Sequence, residues 1–329
     1  MSMNVQSQLS IAQRREIGER RRLNMLYLGL LVIGLVAPWV AYPVFLMKLL
    51  CFGLFACSFN LLLGYTGLLS FGHAAFLAAG GYSTGYLLSQ HSGIGPELAI
   101  IAGTLVAAGI GAIFGALAIR RQGIYFAMIT LALSQLLFFL FLKAPFTGGE
   151  DGLHGITRGK LFGFIDLTDD HNMYYLVLAI VAFGFALVLR VVNSPFGQIL
   201  HAIRENEDRA TSLGYDIKRY KWLAFVLSSA IAGLAGSTKA VVFQLVTLND
   251  AHWHMSGEVV LMTLLGGVGT LLGPFVGAGI VVSLQHVLAQ SPLGTWGAPI
   301  LGLIFVLCVL CFRSGVVGAI KLLISKNFK

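Results

Sequence analysis

The side chains with the most chemistry lie in two stretches. One is N-L-L-L-G-Y-T-G-L-L-S-F-G-H-A-A-F over 60–76, where Asn60, Ser70 and His73 carry amide, hydroxyl and imidazole groups into an apolar run interrupted by Gly64 and Gly67. Polar groups at membrane depth must find partners or line a wetted path. These three therefore read either as a lining or as hydrogen-bonding glue between helices. Thr130, Ser134 and Gln135 share one face of another apolar run. Serine and threonine hydroxyls commonly bond their own helix carbonyls, which leaves Gln135 the stronger path candidate.

The other stretch is N-S-P-F-G-Q-I-L-H-A-I-R-E-N-E-D-R-A-T-S-L-G-Y-D-I-K-R-Y-K over 193–221, a polar island in an apolar chain. Ser194-Pro195 predicts an N-cap hydroxyl followed by proline at the first helical position. Gly214 suits the position just past the helix end. Between them Ile199, Ala202, Ile203, Ala210 and Leu213 recur at helical steps and predict one apolar face. Arg204 with Asp208, and Glu205 with Arg209, stand four apart and predict ion pairs on the other face. A short charged amphipathic helix of this kind is a docking element or a solvated loop.

Other chemistry finds little support. Gly159-Lys160 lacks the leading glycine and the Ser/Thr of a phosphate-binding loop. Cys308 and Cys311 form a C-x-x-C without a second pair or a histidine, inside V-L-C-V-L-C-F, and read as small buried apolar residues like Cys51 and Cys57. His252-Trp253-His254 lacks a third ligand. Thr147-Gly148-Gly149-Glu150-Asp151-Gly152 is a turn or a partner surface, without the spacing of a calcium loop. Glu97 and Glu258 lie at span ends, so energy is not expected to enter through a lipid-buried carboxylate.

The elements that must position these groups are set by composition. Hydrophobic residues make up 57% of the 329 and charged ones 11%, at a mean hydropathy of +0.83. A soluble globular domain carries about 25% charge. The expected fold is therefore an all-α integral membrane helix bundle. The net charge of +8 comes from basic residues at segment ends rather than along a groove, which excludes a nucleic-acid reading. Candidate spans are 23–41, 43–63, 68–89, 98–119, 124–143, 173–192, 222–247, 258–290 and 298–312. A break at Gly273-Pro274 divides 258–290 into two short limbs, giving about ten apolar segments. Both termini are then cytoplasmic: the basic segment 1–22 and the tail 313–329 flank a transmembrane domain over 23–312. The parts assigned inside (1–22, 120–122, 190–221, 313–329) hold 17 of the 22 lysines and arginines, while the outside loops carry Arg158 and Lys160 against Glu97, Glu150, Asp151, Asp166, Asp169, Asp170 and Asp250. Lys48, Lys143 and Lys239 fall towards outer span ends, where their stems are expected to snorkel. Four-residue glycine spacings (Gly81/Gly85, Gly111/Gly115, Gly269/Gly273/Gly277) predict close helix packing.

With these residues in view, the chain resembles the permease subunits of branched-chain amino-acid ATP-binding-cassette importers, most closely the M-type member of the pair. The resemblance rests on the 60–76 stretch, G-I-Y-F-A-M-I-T-L-A (123–132), T-G-G-E-D-G-L (147–153), A-I-R-E-N-E-D-R-A-T-S-L-G-Y-D-I-K-R-Y-K (202–221) and L-L-G-G-V-G-T-L-L-G-P (264–274). It implies a multi-pass permease in a bacterial inner membrane with no catalytic site of its own, working by alternating access. The segment Arg204-Glu205-Asn206-Glu207, with Ile203, Arg209 and Gly214 around it, resembles the cytoplasmic coupling helix that seats on an ATPase. The implied partners are two ATPase subunits, which hold the ATP and magnesium, a second homologous permease and a periplasmic solute-binding protein that meets loop 144–172. Asn60, Ser70, His73, Thr130 and Gln135 are the path candidates, with Gly273 and Pro274 at the helix break. Lys239 and the long basic N-terminus depart from the family pattern, so related cargoes (urea, amides, aromatic acids) stand beside amino acids. A self-sufficient secondary carrier or channel is the alternative from another class.

Overall fold

A computed structural model of the chain describes residues 25, 28–90, 93–290, 297–311 and 315–318. The basic segment 1–22 and nearly all of the tail 313–329 lie outside the described residues, and with them the expected placement of both termini.

Each of the ten predicted apolar segments carries helix: α1 (Leu28–Trp39), α2 (Pro43–Thr66), α3 (His73–Gln90), α4 (Pro96–Ala118), α5 (Ile124–Lys143), α6 (Asp170–Val192), α9 (Ile217–Phe243), α10 (Trp253–Gly266), α11 (Gly273–Gln290) and α12 (Gly297–Cys311). The polar island supplies α7 (Pro195–Glu205) and α8 (Glu207–Ser212). Five helices (α2, α4, α5, α6 and α9) are long and apolar enough to cross a membrane unaided. Prolines open several helices at the first turn, where no hydrogen-bond donor is lost; Pro43, Pro96 and Pro195 do so in α2, α4 and α7.

The boundaries move where polar chemistry competes with hydrophobicity. Residues 68–72, predicted as helix, leave it as a loop held by Ser70 Oγ accepting from the Gly72 amide at 3.2 Å. α9 begins at Ile217, so residues 217–221 belong to a span rather than to the connecting loop, with Asp216 as N-cap. The small departure from an all-helical chain is a two-residue hairpin, β1 (Lys160–Leu161) with β2 (Ile165–Asp166), antiparallel in the 144–172 loop.

α2 and α9 form the axis of the bundle. In their most apolar windows 72% of residues are buried, against 22% in α6 and 33% in α5. α9 packs on α3, α4 and α2; α2 in turn packs on α6, α10 and α11. Contact with α3 is close enough that Gly80 faces the Gly233 backbone with no room for a Cβ, as small-residue packing between membrane helices requires. The outer faces of α4 and α5 present Leu98, Ile101, Leu105, Ile113, Met128, Leu136 and Phe139. Surfaces this apolar suit lipid or an apolar partner helix.

The connections sort to two ends. At one, Gln122 of the α4–α5 turn donates to Glu207 of α8 at 2.7 Å. At the other, the 144–172 loop is fastened to the end of α9. Leu153 and Val246 exchange both backbone hydrogen bonds, at 2.9 and 3.1 Å, and Arg158 reaches the Val242 carbonyl at 2.8 Å and Asp170 at 2.7 Å.

Candidate functional site

The polar island folds as expected at its edges and differently in its middle. Ser194 Oγ accepts from the Gly197 amide at 3.4 Å and caps α7, and Gly214 takes a left-handed φ of 87° just past α8. Between them the helix breaks at Asn206, which is extended (φ −158°, ψ 104°) and whose Oδ1 accepts from the Arg209 amide at 3.0 Å, capping α8. Two short helices therefore replace the single one predicted. The break shifts the helical phase: Ile203, Ala210 and Ile217 form a small buried cluster with Ile199 and Tyr220, while Ala202 and Leu213 are exposed. The predicted pairs Arg204–Asp208 and Glu205–Arg209 span the break and do not form among the described residues; Glu205 pairs instead with His201 within α7, at 3.4 Å.

The charged side chains then divide between inward and outward roles. Glu207 turns in, its two oxygens taking Gln122 Nε2 at 2.7 Å and Lys221 Nζ, 7% exposed, at 2.6 Å. Arg204, although exposed, reaches the bundle: its guanidinium donates to the Gly64 carbonyl at the end of α2. Glu205 and Arg209 stay exposed.

Arg204 meets the bundle at a junction. α10 stops at Gly266 and α11 starts at Gly273, so the chain is unwound over 267–272, ahead of the predicted break; Gly273 and Pro274 open α11. The loop turns through Gly267 (φ 117°) and Gly269 (φ 77°), backbone states open to glycine at no cost. Its freed polar groups go to α2. Asn60 Nδ2 donates to the Thr270 carbonyl and Asn60 Oδ1 accepts from the Gly269 amide, both at 2.8 Å, while Tyr65 Oη donates to the Gly269 carbonyl at 3.2 Å. A Cβ on Gly269 would stand 3.3 Å from Arg204 Nη1. One cation of α7 thus bonds the end of α2 and lies beside the unwound loop. α10 is ~21 Å long and α11 ~27 Å, each short of the ~30 Å apolar core.

The remaining polar candidates sit deeper. His73 is fully buried among Phe55, Phe59 and Phe76. Its Nε2 lies 2.8 Å from Ser228 Oγ, which itself donates to the Ser58 carbonyl, so Nε2 must carry the proton. Nδ1 has no partner among the described residues. Thr130 Oγ1 donates to the Ala127 carbonyl at 2.9 Å and accepts from the Phe71 amide at 3.2 Å, tying α5 to the 68–72 loop. Ser134 Oγ and Gln135 Nε2 are buried without hydrogen bonds among the described residues. Ser70 and Thr130 therefore hold one loop, Asn60 belongs to the Arg204 junction, and His73, which opens α3 just after that loop, turns to Ser228 of α9.

Lys239 does not simply snorkel. It pairs with Asp250, whose other oxygen closes a capping box with Thr247, and it lies 5.5 Å above the Phe52 ring. Sequence spacing hid this pair because the chain reverses between the two residues. Cys51 and Cys57 are buried, and the side chains of Cys308 and Cys311 lie outside the described residues.

A family model described as the branched-chain amino acid transport system / permease component matches residues 43–312. The high-affinity branched-chain amino acid transport system permease protein LivM of Escherichia coli is 29% identical over 246 residues, 68% of this chain and 58% of its own. Its namesake in Salmonella typhimurium is 28% identical over 294 residues, 80% of this chain and 68% of its own. The autoinducer 2 import system permease protein LsrC of Klebsiella pneumoniae is 30% identical over 199 residues, 57% of this chain and 55% of its own. The chain spans about three-fifths to two-thirds of the length of the two LivM relatives. No solved structure matches it.

Proposed function

The chain belongs to the permease component family of branched-chain amino acid transport systems, and on that premise we propose that it is one membrane-spanning subunit of an ATP-binding-cassette importer for branched-chain or related amino acids. In this reading it sits in a bacterial inner membrane and has no catalytic site. It works with a second homologous permease, a periplasmic solute-binding protein and two ATPase subunits that hold ATP and magnesium. The α7–α8 end faces the cytosol and the 144–172 loop faces the periplasm.

The observation that carries the proposal is the reach of Arg204 from α7 to Gly64, beside the unwound 267–272 loop. Glu205 and Arg209, exposed on α7 and α8, are the residues offered to the ATPase. Closure of the ATPase dimer displaces α7–α8 as a unit, since Ile203, Ala210 and Ile217 pack them to the base of α9. Arg204 passes that displacement to the end of α2 and to the loop between α10 and α11. Both short helices can then shift against the α2–α9 axis, as half-helices do in alternating access. Ligand and nucleotide act by favouring different arrangements of the same bundle. Asn60, Ser70, His73, Thr130 and Gln135 are proposed for the path, with the amide nitrogen of Gln135, unpartnered among the described residues, available to a passing polar solute.

The test is uptake by vesicles containing the full complex. Replacing ATP with a nonhydrolysable analogue should abolish accumulation of radiolabelled leucine. Accumulation that continues undiminished would make the chain a self-sufficient carrier and end this reading.

A further inference from the structure

A cavity of about 390 Å³ opens at the end of the bundle remote from α7, between the two axial helices and the broken pair. Its position follows from helix geometry: Lys48 lies sixteen residues before Gly64 on α2, ~24 Å along the axis, and Lys239 eighteen after Lys221 on α9, ~27 Å. Four charged groups line it: Lys48 of α2, Lys239 of α9, Asp250 of the preceding turn and Glu258 of α10. Gln285 of α11 and Phe52 of α2 are among its other lining residues.

Lys239 and Asp250 neutralise each other. Lys48 and Glu258 form no such ion pair: both are half-buried, and neither comes within 4.0 Å of an opposite charge among the described residues. Half-buried charges of opposite sign, held apart across a cavity, are each costly without a partner. A ligand with one charge would satisfy one and leave the other. A ligand with adjacent positive and negative groups satisfies both.

We propose that this cavity binds the zwitterionic head of an α-amino acid, its carboxylate against Lys48 and its ammonium against Glu258, with Gln285 adding a hydrogen bond and Phe52 meeting the apolar side chain. The volume falls in the range of small-molecule sites. The proposal deepens the import reading and rests on it: the cavity is a periplasm-facing reception site on the permease itself, separate from any site on the solute-binding protein. Recognition of both charges gives selectivity of a kind that apolar fit does not, because an analogue lacking either group leaves a site charge unpaired.

The test is calorimetric titration of the permease–ATPase complex in nanodiscs, without solute-binding protein. Three probes are used: L-leucine, 4-methylpentanoate, which lacks the amine, and 3-methylbutylamine, which lacks the carboxylate. Wild type should bind leucine at least tenfold more tightly than either analogue. Lys48→Gln and Glu258→Gln should each weaken leucine at least tenfold, and Lys48→Arg and Glu258→Asp should restore most of the loss. No leucine binding by wild type, equal affinity for the three probes, or full affinity in the Gln variants would overturn the site. ATP-driven leucine uptake by the same preparation, measured with binding protein present, is judged separately: if uptake persists while the titration fails, the import reading stands and the reception site falls.

Discussion

The two ends of α9 carry the same chemical device in different settings. In its second turn Lys221 pairs with one oxygen of Glu207, and Gln122 donates to the other, so each carboxylate oxygen has a partner. Near its last turn Lys239 pairs with Asp250, but Lys48 and Glu258, which line the same cavity, form no ion pair among the described residues. The first pair ties a short surface helix to the bundle, with no unpaired charge lining a cavity beside it. The second leaves charge available to a guest. A lysine–carboxylate pair in a membrane bundle is thus not one kind of feature, and its surroundings decide whether it fastens or receives.

The contrast is sharpest in stability. Asp250→Ala should be the largest lesion, about 3–5 kcal/mol, because it strands the 16%-exposed Lys239 side chain and removes the acid of the capping box. Thermal unfolding in detergent reads it, and the apolar double replacement Lys239→Met with Asp250→Leu should regain most of the loss. If the double replacement stays as unstable as the single, the far pair is a fastening like the near one and the contrast collapses.

Gly269→Ala comes next, at roughly 1–2 kcal/mol, from the left-handed backbone it must keep and the crowding of Arg204. Arg204→Ala should spare folding yet lower solute moved per ATP hydrolysed by about tenfold, a coupling loss of ~1.4 kcal/mol. Paired measurement of uptake and phosphate release checks it; an unchanged ratio would remove Arg204 from the linkage. The smallest effect on the fold belongs to Glu205→Lys, since the side chain is 72% exposed: a stability change within about 0.5 kcal/mol, alongside reduced co-purification of the ATPase. Undiminished co-purification would show that the near end does not dock through α7.

Much of the fold was legible because lipid imposes it. Long apolar runs, proline at first turns and basic residues at segment ends carry the helix pattern without knowledge of packing. What escaped was chemistry acting across sequence. Asn206 interrupts a good helical pattern because its side chain caps α8; the string Asn-Glu-Asp, a cap residue ahead of two acids, was the signal, and hydrophobic spacing outweighed it. The reach of Arg204 and the inward turn of Glu207 depend on Gly64 and Gln122, over eighty residues away, and no helical spacing reports that. Of the polar stretch at 60–76, the sequence showed that its groups needed partners; it did not show that Asn60 serves the 267–272 loop while His73 serves Ser228.

The paired hydrogen bonds between Leu153 and Val246 stitch the 144–172 loop to a point four residues from Asp250. Arg158 adds a second stitch at Val242, three residues past Lys239. The loop that carries the β1–β2 hairpin is therefore pinned on both sides of the Lys239–Asp250 pair, at the rim of the cavity.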